Sequence, residues 1–528
     1  MDNAPLPAPA DGLTAQTLRG AKWAYLSSFI NAGLQIGVTA VLARALAPSA
    51  FGLVAMAGLV LRFGQYFAQM GVGQAIVQRP VLRQEHVPAG LWASVILGAA
   101  FSALAWVGAP FAAAAFNSEA LTAVLRAMGM TFLIGGTSTT ARALLRRGMR
   151  FRALAIADTS AYVIGYAGVG VLMALSGYGV WSLVAAALCQ ALISSIVCNV
   201  FARPRAVPVL AWRPYAEILG FGSTVSIISF LEFLNSSLDT IVVGRLSGAA
   251  SLGYYSRALS LTGLPMQYMS TSLSSVLFPS FSRVQAETTR LRNGYLSVIT
   301  IFAGVGLPIA FGMSAAAQEI VAVLLGPRWG ASIPVMRLVA VASAASMLSH
   351  FGGVILEATA QLKEKLVMRT IQLIVFASLL VGLSRFGLLG YALAFTISEV
   401  LLHFVLAIRV GTLFHISVGD NLGAHLPGML CGVLVWVILY GESVLGARLA
   451  VPSGATLLVQ VLTGVCLLGS VGLRLGDGRV FCAVHERMGV PSGSRIVTTI
   501  VRILARMSGN AVPAPSGTRS NTEDSTGR

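Results

Sequence analysis

Residues 217–244, EILGFGSTVSIISFLEFLNSSLDTIVVG, form a membrane-length stretch with more polar side chains than a lipid-facing helix tolerates. At helical spacing Ser226, Ser229, Glu232, Asn235, Ser236 and Asp239 fall on one stripe, and the other face is apolar. In a membrane an apolar residue gains about 0.3 to 0.6 kcal/mol and a central acid costs about 2.5 to 3.5 kcal/mol. Insertion of this segment alone would be marginal, so the stripe is expected to face a bundle interior or a water-filled cavity. Such a stripe can bind polar cargo or exchange protons. Glu232 keeps two readings, a protonation site of an ion-coupled cycle and a structural partner. Other groups of this kind are Arg62, with Gln65, Tyr66 and Gln69 continuing its face, and Arg257, followed by Gln267, Ser270, Thr271 and Ser274 beyond a kink expected at Pro265. Glu399, His403 and His350 are further polar groups inside apolar windows. No Walker loop, HExxH or GxSxG is present, so covalent catalysis and direct ATP use are not expected.

The elements that must position these groups follow from composition. The 528 residues are 56% hydrophobic and only 10% charged, with mean hydropathy +0.80. That balance belongs to a polytopic membrane protein rather than to several soluble domains. Apolar windows of about 20 residues recur along the chain, and none alternates with the period of a barrel strand. An all-α polytopic membrane protein with about fourteen transmembrane helices is expected. The first span is placed near 22–45, the seventh at 217–244, the eighth near 254–281 and the ninth near 296–324. The N-terminus lacks the basic start of a signal peptide, so the first apolar segment is expected to be retained. The five cysteines form no CxxC pair and indicate neither a disulfide nor a metal site.

The net charge of +17 is distributed as a topology signal and not as a nucleic-acid footprint. Alternate joints are basic, among them Arg79 and Arg83; Arg142, Arg146, Arg147, Arg150 and Arg152; and Lys363, Lys365 and Arg369. The intervening joints are short and poor in Lys and Arg, which puts both termini in the cytoplasm and leaves no room for an extracytoplasmic catalytic domain. Asp158 and Glu357 are expected to pair with arginines of the basic joints. Residues Arg495 to Met507 read as a basic amphipathic helix on anionic inner-leaflet lipids.

The chain also repeats itself at an offset of about 200 residues. Arg44 precedes Phe51-Gly52 as Arg245 precedes Leu252-Gly253, Asn31 matches Glu232, Gln35 matches Ser236, and LSGYGV at 175–180 matches LSRFGL at 383–388. Six spans separate the copies, so the repeat is parallel, as in rocker-type transporters with the substrate site between the halves. The expected organisation is a tail at 1–19, six-helix bundles at 20–203 and 217–410 joined by a linker at 204–216, helices 13 and 14 at 411–475, and a basic tail at 476–528.

GAKWAYLSSFINAGLQIGVTAVLARALAPSAFGLVAMAGLV, MGVGQAIVQR, LLRRGMRFRALA, GYGVWSLV, DTIVVGRLSGAASLGYYSRALSL, LFPSFSRVQ and LLGPRWGASIPVMRLVA carry, in this order and spacing, a resemblance to Wzx-type polysaccharide and lipopolysaccharide flippases of the MOP exporter superfamily. It runs from about Gly20 to Arg409 and is closest to the exopolysaccharide repeat-unit branch. The resemblance implies two pseudo-twofold six-helix bundles plus two further helices. It implies alternating access that carries an undecaprenyl-pyrophosphate-linked oligosaccharide across a bacterial inner membrane. Its partners would be the polymerase and glycosyltransferases of the same pathway. It implies no cofactor, with a proton or sodium ion as the coupling candidate. On this reading Arg62 and Arg257 meet the pyrophosphate through forked, charge-assisted hydrogen bonds. Asn31, Gln35, Gln65, Gln69, Glu232, Asn235 and Asp239 serve sugar or coupling. The alternatives are that Arg62 pairs with Glu232 or Asp239 and that Arg257 snorkels. Two rival functions stand beside it: a lipid II or drug exporter on the same fold, and a membrane scaffold for a polysaccharide assembly complex.

Overall fold

The computed structural model describes residues 30–475 apart from 70–71, 80–81, 84, 206, 208–211 and 286. The expected N-terminal tail and the amphipathic Arg495 to Met507 helix lie outside the described residues. Backbone in a hydrocarbon core has no water to bond, so each segment must close its own hydrogen bonds. Among the described residues the chain is accordingly helical, without a strand. The helices are α1 Ile30–Ala45, α2 Pro48–Gln69, α3 Val72–Gln78, α4 His86–Ala115, α5 Ala120–Arg147, α6 Phe151–Leu175 and α7 Val180–Ala202. They continue with α8 Trp212–Arg283, α9 Thr288–Ala315, α10 Ser332–Ala358, α11 Leu362–Leu383, α12 Gly387–Leu413, α13 Val418–Arg448 and α14 Ser453–Leu475. Among the described residues eight helical stretches are long and apolar enough to cross a membrane, and Ile30–Ala45 and Ser453–Gly469 are shorter apolar helices.

As one rod the 72 residues of α8 would be far longer than the roughly 30 Å core of a bilayer. The helix breaks at Gly248, with φ +76° and ψ −178°, inside the joint expected between the seventh and eighth spans. The dihedral angles stay helical through Pro265, where the kink was expected. The ninth span needs a correction. It does not run to 324: α9 ends at Ala315, and residues 317–329 fold back as three short turns. Apolar residues resume at Ile320 after the Gln318-Glu319 pair, so average hydropathy carries the span past its real end. The fold-back places buried Glu319 where the Ser443 hydroxyl of α13 donates to it at 2.5 Å.

The basic joint after α5 does more than set topology. Arg147 donates to the carbonyls of Ile76, Val77 and Arg79 at the end of α3, and Arg150 donates to Phe201 O near the end of α7. Both arginines thus supply donors to orphan carbonyls at helix C-termini.

The two copies of the repeat meet at one end in reciprocal contacts. A β-carbon on Gly52 would overlap the carbonyl oxygen of Ala249, and one on Gly253 would overlap that of Pro48. Glycine is required at both positions because backbone approaches backbone there. Arg44 donates to Val323 O at 2.5 Å in the second copy, and Arg245 donates to Ala115 O in the first. The Trp329 indole N–H reaches back to Ala43 O at 2.9 Å and is fully buried, edge-on to Phe51 and Tyr254. A hydrophobic core continuous through both copies surrounds this end. A second core is confined to α8 through α13, and α13 and α14 pack onto α9 outside the repeat.

Candidate functional site

Away from the reciprocal contacts the copies separate around a cavity of about 1640 Å³. Six of the nine residues assigned to binding or coupling line it: Asn31 and Gln35 from α1, Arg62 from α2, and Asn235, Asp239 and Arg257 from the two halves of α8. Gln65 does not. It lines an adjoining pocket of about 430 Å³ within the first copy, which shares Arg62 with the main cavity. The side chains of Gln69 and Glu232 lie outside the described residues.

The six differ in what already holds them. Asp239 is 5% exposed, and its carboxylate accepts hydrogen bonds from the Thr240 N–H at 2.6 Å, the Thr240 hydroxyl at 3.2 Å and the Tyr255 phenol at 3.2 Å. The bond to Tyr255 pins the two halves of α8 together across the Gly248 break. No ion pair joins Asp239 to Arg62, although the two are near enough to interact electrostatically. Asn235 donates to the Arg369 carbonyl of α11 at 2.9 Å. Both residues therefore combine a place on the wall with a structural duty.

Asn31, Arg62 and Arg257 remain available. The Asn31 amide oxygen and the Arg257 Nε are buried without a hydrogen-bond partner. Arg62 reaches into the cavity and makes no hydrogen bond or ion pair among the described residues. The Arg257 guanidinium lies 4.9 Å from the centre of the Phe51 ring. It also interacts electrostatically with Tyr162 and Tyr166, which line the same cavity. Arg257 thus rests against the Phe51 ring on the cavity wall.

Three wall residues, Gln372, Tyr162 and Tyr166, were not legible beforehand. Arg369 donates to Gln372 Oε1 at 2.9 Å, and Gln372 Nε2 donates to Glu399 at 2.9 Å, a relay that runs from α11 to α12. Glu399 carried a signal, an acid inside an apolar span; Gln372 and the two tyrosines carried none. His350 is on the wall. His403 is not, since its Nε2 lies 3.0 Å from the Nε2 of His425 on α13. At the far end from Arg44 and Arg245 the cavity is flanked by two ion pairs, Arg142 with Asp158 at 2.7 Å and Lys365 with Glu357. Asp158 meets the expected arginine, whereas Glu357 meets a lysine. Among the described residues Arg62, Arg257 and Arg369 line the cavity with no carboxylate at ion-pair distance. The wall combines these cations with amides, hydroxyls, aromatic rings and the hydrogen-bonded carboxylates Asp239 and Glu399, a mixture that suits an anionic group joined to a polar one.

The family described as "Polysaccharide biosynthesis protein" matches residues 41–334. The chain is 24% identical over 396 residues to the lipopolysaccharide biosynthesis protein WzxC of Escherichia coli (strain K12), covering 74% of this chain and 80% of that one. It is 27% identical over 324 residues to the succinoglycan biosynthesis transport protein ExoT of Rhizobium meliloti (strain 1021), covering 61% and 65%. Among solved structures it is similar to the lipid II flippase MurJ in an inward closed conformation, with TM-score 0.67 and 12% identity over 86% of this chain and 99% of that one. That likeness is one of fold.

Proposed function

The chain belongs to the polysaccharide biosynthesis protein family, and from that premise we propose that it is a flippase that moves an undecaprenyl-pyrophosphate-linked oligosaccharide across a bacterial inner membrane. The observation that carries the reading is the cavity itself. It lies between two repeated halves, is closed at one end by their reciprocal contacts, and presents Arg62 and Arg257 without carboxylate partners beside uncharged polar groups. A pyrophosphate needs fixed cations, and a sugar needs amides and hydroxyls. The lipid tail needs neither and can stay in the bilayer.

In this reading the chain crosses the membrane fourteen times with both termini cytoplasmic, as the basic joints favour. The ion-paired end of the cavity then faces the cytoplasm, where the lipid-linked sugar is loaded. Release requires the Gly52, Gly253, Arg44 and Arg245 contacts to part while the ion-paired end closes. The protein breaks no bond in its cargo. A proton or sodium gradient supplies directionality, with Glu399 and its Gln372 partner as the candidate coupling group. The polymerase and glycosyltransferases of the pathway act before and after it.

The test is flipping in proteoliposomes that carry a fluorescent undecaprenyl-pyrophosphate oligosaccharide in both leaflets, with an impermeant quencher outside. Wild type is expected to expose the inner-leaflet pool, and Arg62→Ala, inserted normally, is expected to slow it at least about tenfold, the loss of one charge-assisted contact. Equal rates would make Arg62 structural. No flipping by wild type, with or without a proton or sodium gradient, would reject the flippase reading.

A further inference from the structure

Tyr162 and Tyr166 are one helical turn apart on α6, and their rings stack with centroids 5.2 Å apart and planes 15° from parallel. Both line the cavity. Between them begins the π-helical segment Val163–Gly170, an irregularity that is rare in helices and frequent at functional sites. The two phenols make no hydrogen bond among the described residues. The Arg257 guanidinium lines the same cavity, its Nε buried and unpartnered, resting over Phe51 and interacting electrostatically with both phenols. One side of the pair packs against the core, and the other is left open on the cavity wall, with a polar tip on each ring and a cation on the same wall.

The chemistry of that arrangement selects a ligand class. Aromatic faces offer an apolar platform, and the hydroxyls offer directional hydrogen bonds at its rim. A pyranose has the complementary form, a face of axial C–H bonds rimmed by hydroxyls. An organic cation would also stack on such rings, but it would have to lie against Arg257. An anion next to the platform has the opposite relation to that arginine. We propose that Tyr162 and Tyr166 form a sugar subsite for the pyranose bonded directly to a pyrophosphate that Arg257 holds. The proposal rests on the flippase reading and deepens it by dividing the cargo between named groups. The phosphate goes to α8 and the adjoining sugar to α6.

The experiment compares two probes on purified full-length protein, undecaprenyl pyrophosphate and the same lipid bearing a single glucose. Wild type is expected to retain the glucosyl lipid about tenfold more tightly, the worth of one or two aromatic platforms. The double variant Tyr162→Ala/Tyr166→Ala is expected to abolish that preference while holding the bare lipid as wild type does, which also shows that it is folded. Tyr162→Phe/Tyr166→Phe keeps the rings and is expected to keep most of the preference. Arg257→Ala is expected to weaken both lipids by the same factor. The subsite is overturned if wild type binds both lipids equally, if the alanine pair weakens the two alike, or if the phenylalanine pair loses as much as the alanine pair. Binding of neither lipid by wild type would instead overturn the flippase reading and take the subsite with it.

Discussion

The two ends of the cavity are built by different rules. Where the repeated halves touch, the glycine and arginine contacts come in pairs: Gly52 on Ala249 with Gly253 on Pro48, and Arg44 on Val323 with Arg245 on Ala115. Along the walls the correspondence lapses. Counting from the matched turns in which Gly179 and Gly387 have φ +57° and +60°, the positions of Tyr162 and Tyr166 are held in the second copy by Thr370 and Ile374. The relay of Arg369, Gln372 and Glu399 in turn belongs to the second copy alone. In the proposed cycle the contacts that part and re-form as two halves rock are subject to the twofold axis of that motion. The proposed cargo, a lipid-linked oligosaccharide, has no such axis, so a surface that grips it has no reason to keep one.

The largest way to break this comparison is at the glycines. Gly52→Val and Gly253→Val each drive a side chain into a carbonyl of the opposite copy, where backbone and not a flexible side chain must yield. Overpacking typically costs about 1 to 3 kcal/mol, and an unyielding backbone puts these at the top of that range, about a hundredfold against the closed end. Both variants are expected to expose a cysteine placed at Gln35 to a membrane-impermeant thiol reagent from the side that Arg44 marks. A clear response from one glycine and none from the other would show that the reciprocity is geometric and carries no shared function.

Much of this molecule was legible in its sequence because the bilayer leaves few choices. Hydropathy and the repeat predicted helices, the joint between the halves of α8 and the polar stripe of α1 that lines the cavity. What escaped was set by partners far away in the chain. Nothing local in Asp239 says that Tyr255 will bond it, and nothing in Asn235 points to the Arg369 carbonyl. Tyr162 and Tyr166 sit among apolar neighbours at helical spacing, the same pattern that a lipid-facing or packed aromatic pair would make. The fold-back at 317–329 escaped because its apolar residues are buried in protein instead of lipid, and hydropathy does not distinguish the two.

A smaller effect sharpens the symmetric side. Arg44 and Arg245 each donate a charged hydrogen bond to a carbonyl across the interface, but both are exposed. Such a bond is worth about 1.5 to 3 kcal/mol when buried, and solvent at these sites should leave about 1 kcal/mol. Arg44→Ala and Arg245→Ala are expected to raise thiol accessibility at Gln35→Cys by similar modest factors, about fivefold each. The double variant is expected to be less than additive if parting one contact already loosens the other. Full additivity would make them two independent clasps.

The smallest expected effect concerns the other end, where Arg142 on α5 pairs with Asp158 on α6 while Glu357 on α10 pairs with Lys365 on α11. The helices correspond but the charges are exchanged, so each copy presents the same pair in opposite order. With side chains 29% and 46% exposed in the first pair, solvent screens the attraction, and such a pair contributes about 0 to 1 kcal/mol. If the pairs serve only to tie helices together, order is immaterial. Arg142→Asp/Asp158→Arg should then insert and flip cargo within about twofold of wild type, whereas Arg142→Asp alone, with two acids facing each other, should do worse. If the swap instead slows flipping tenfold with insertion intact, the direction of the charge matters to an anionic cargo passing between the pairs. The asymmetry of the site would then extend to its mouth.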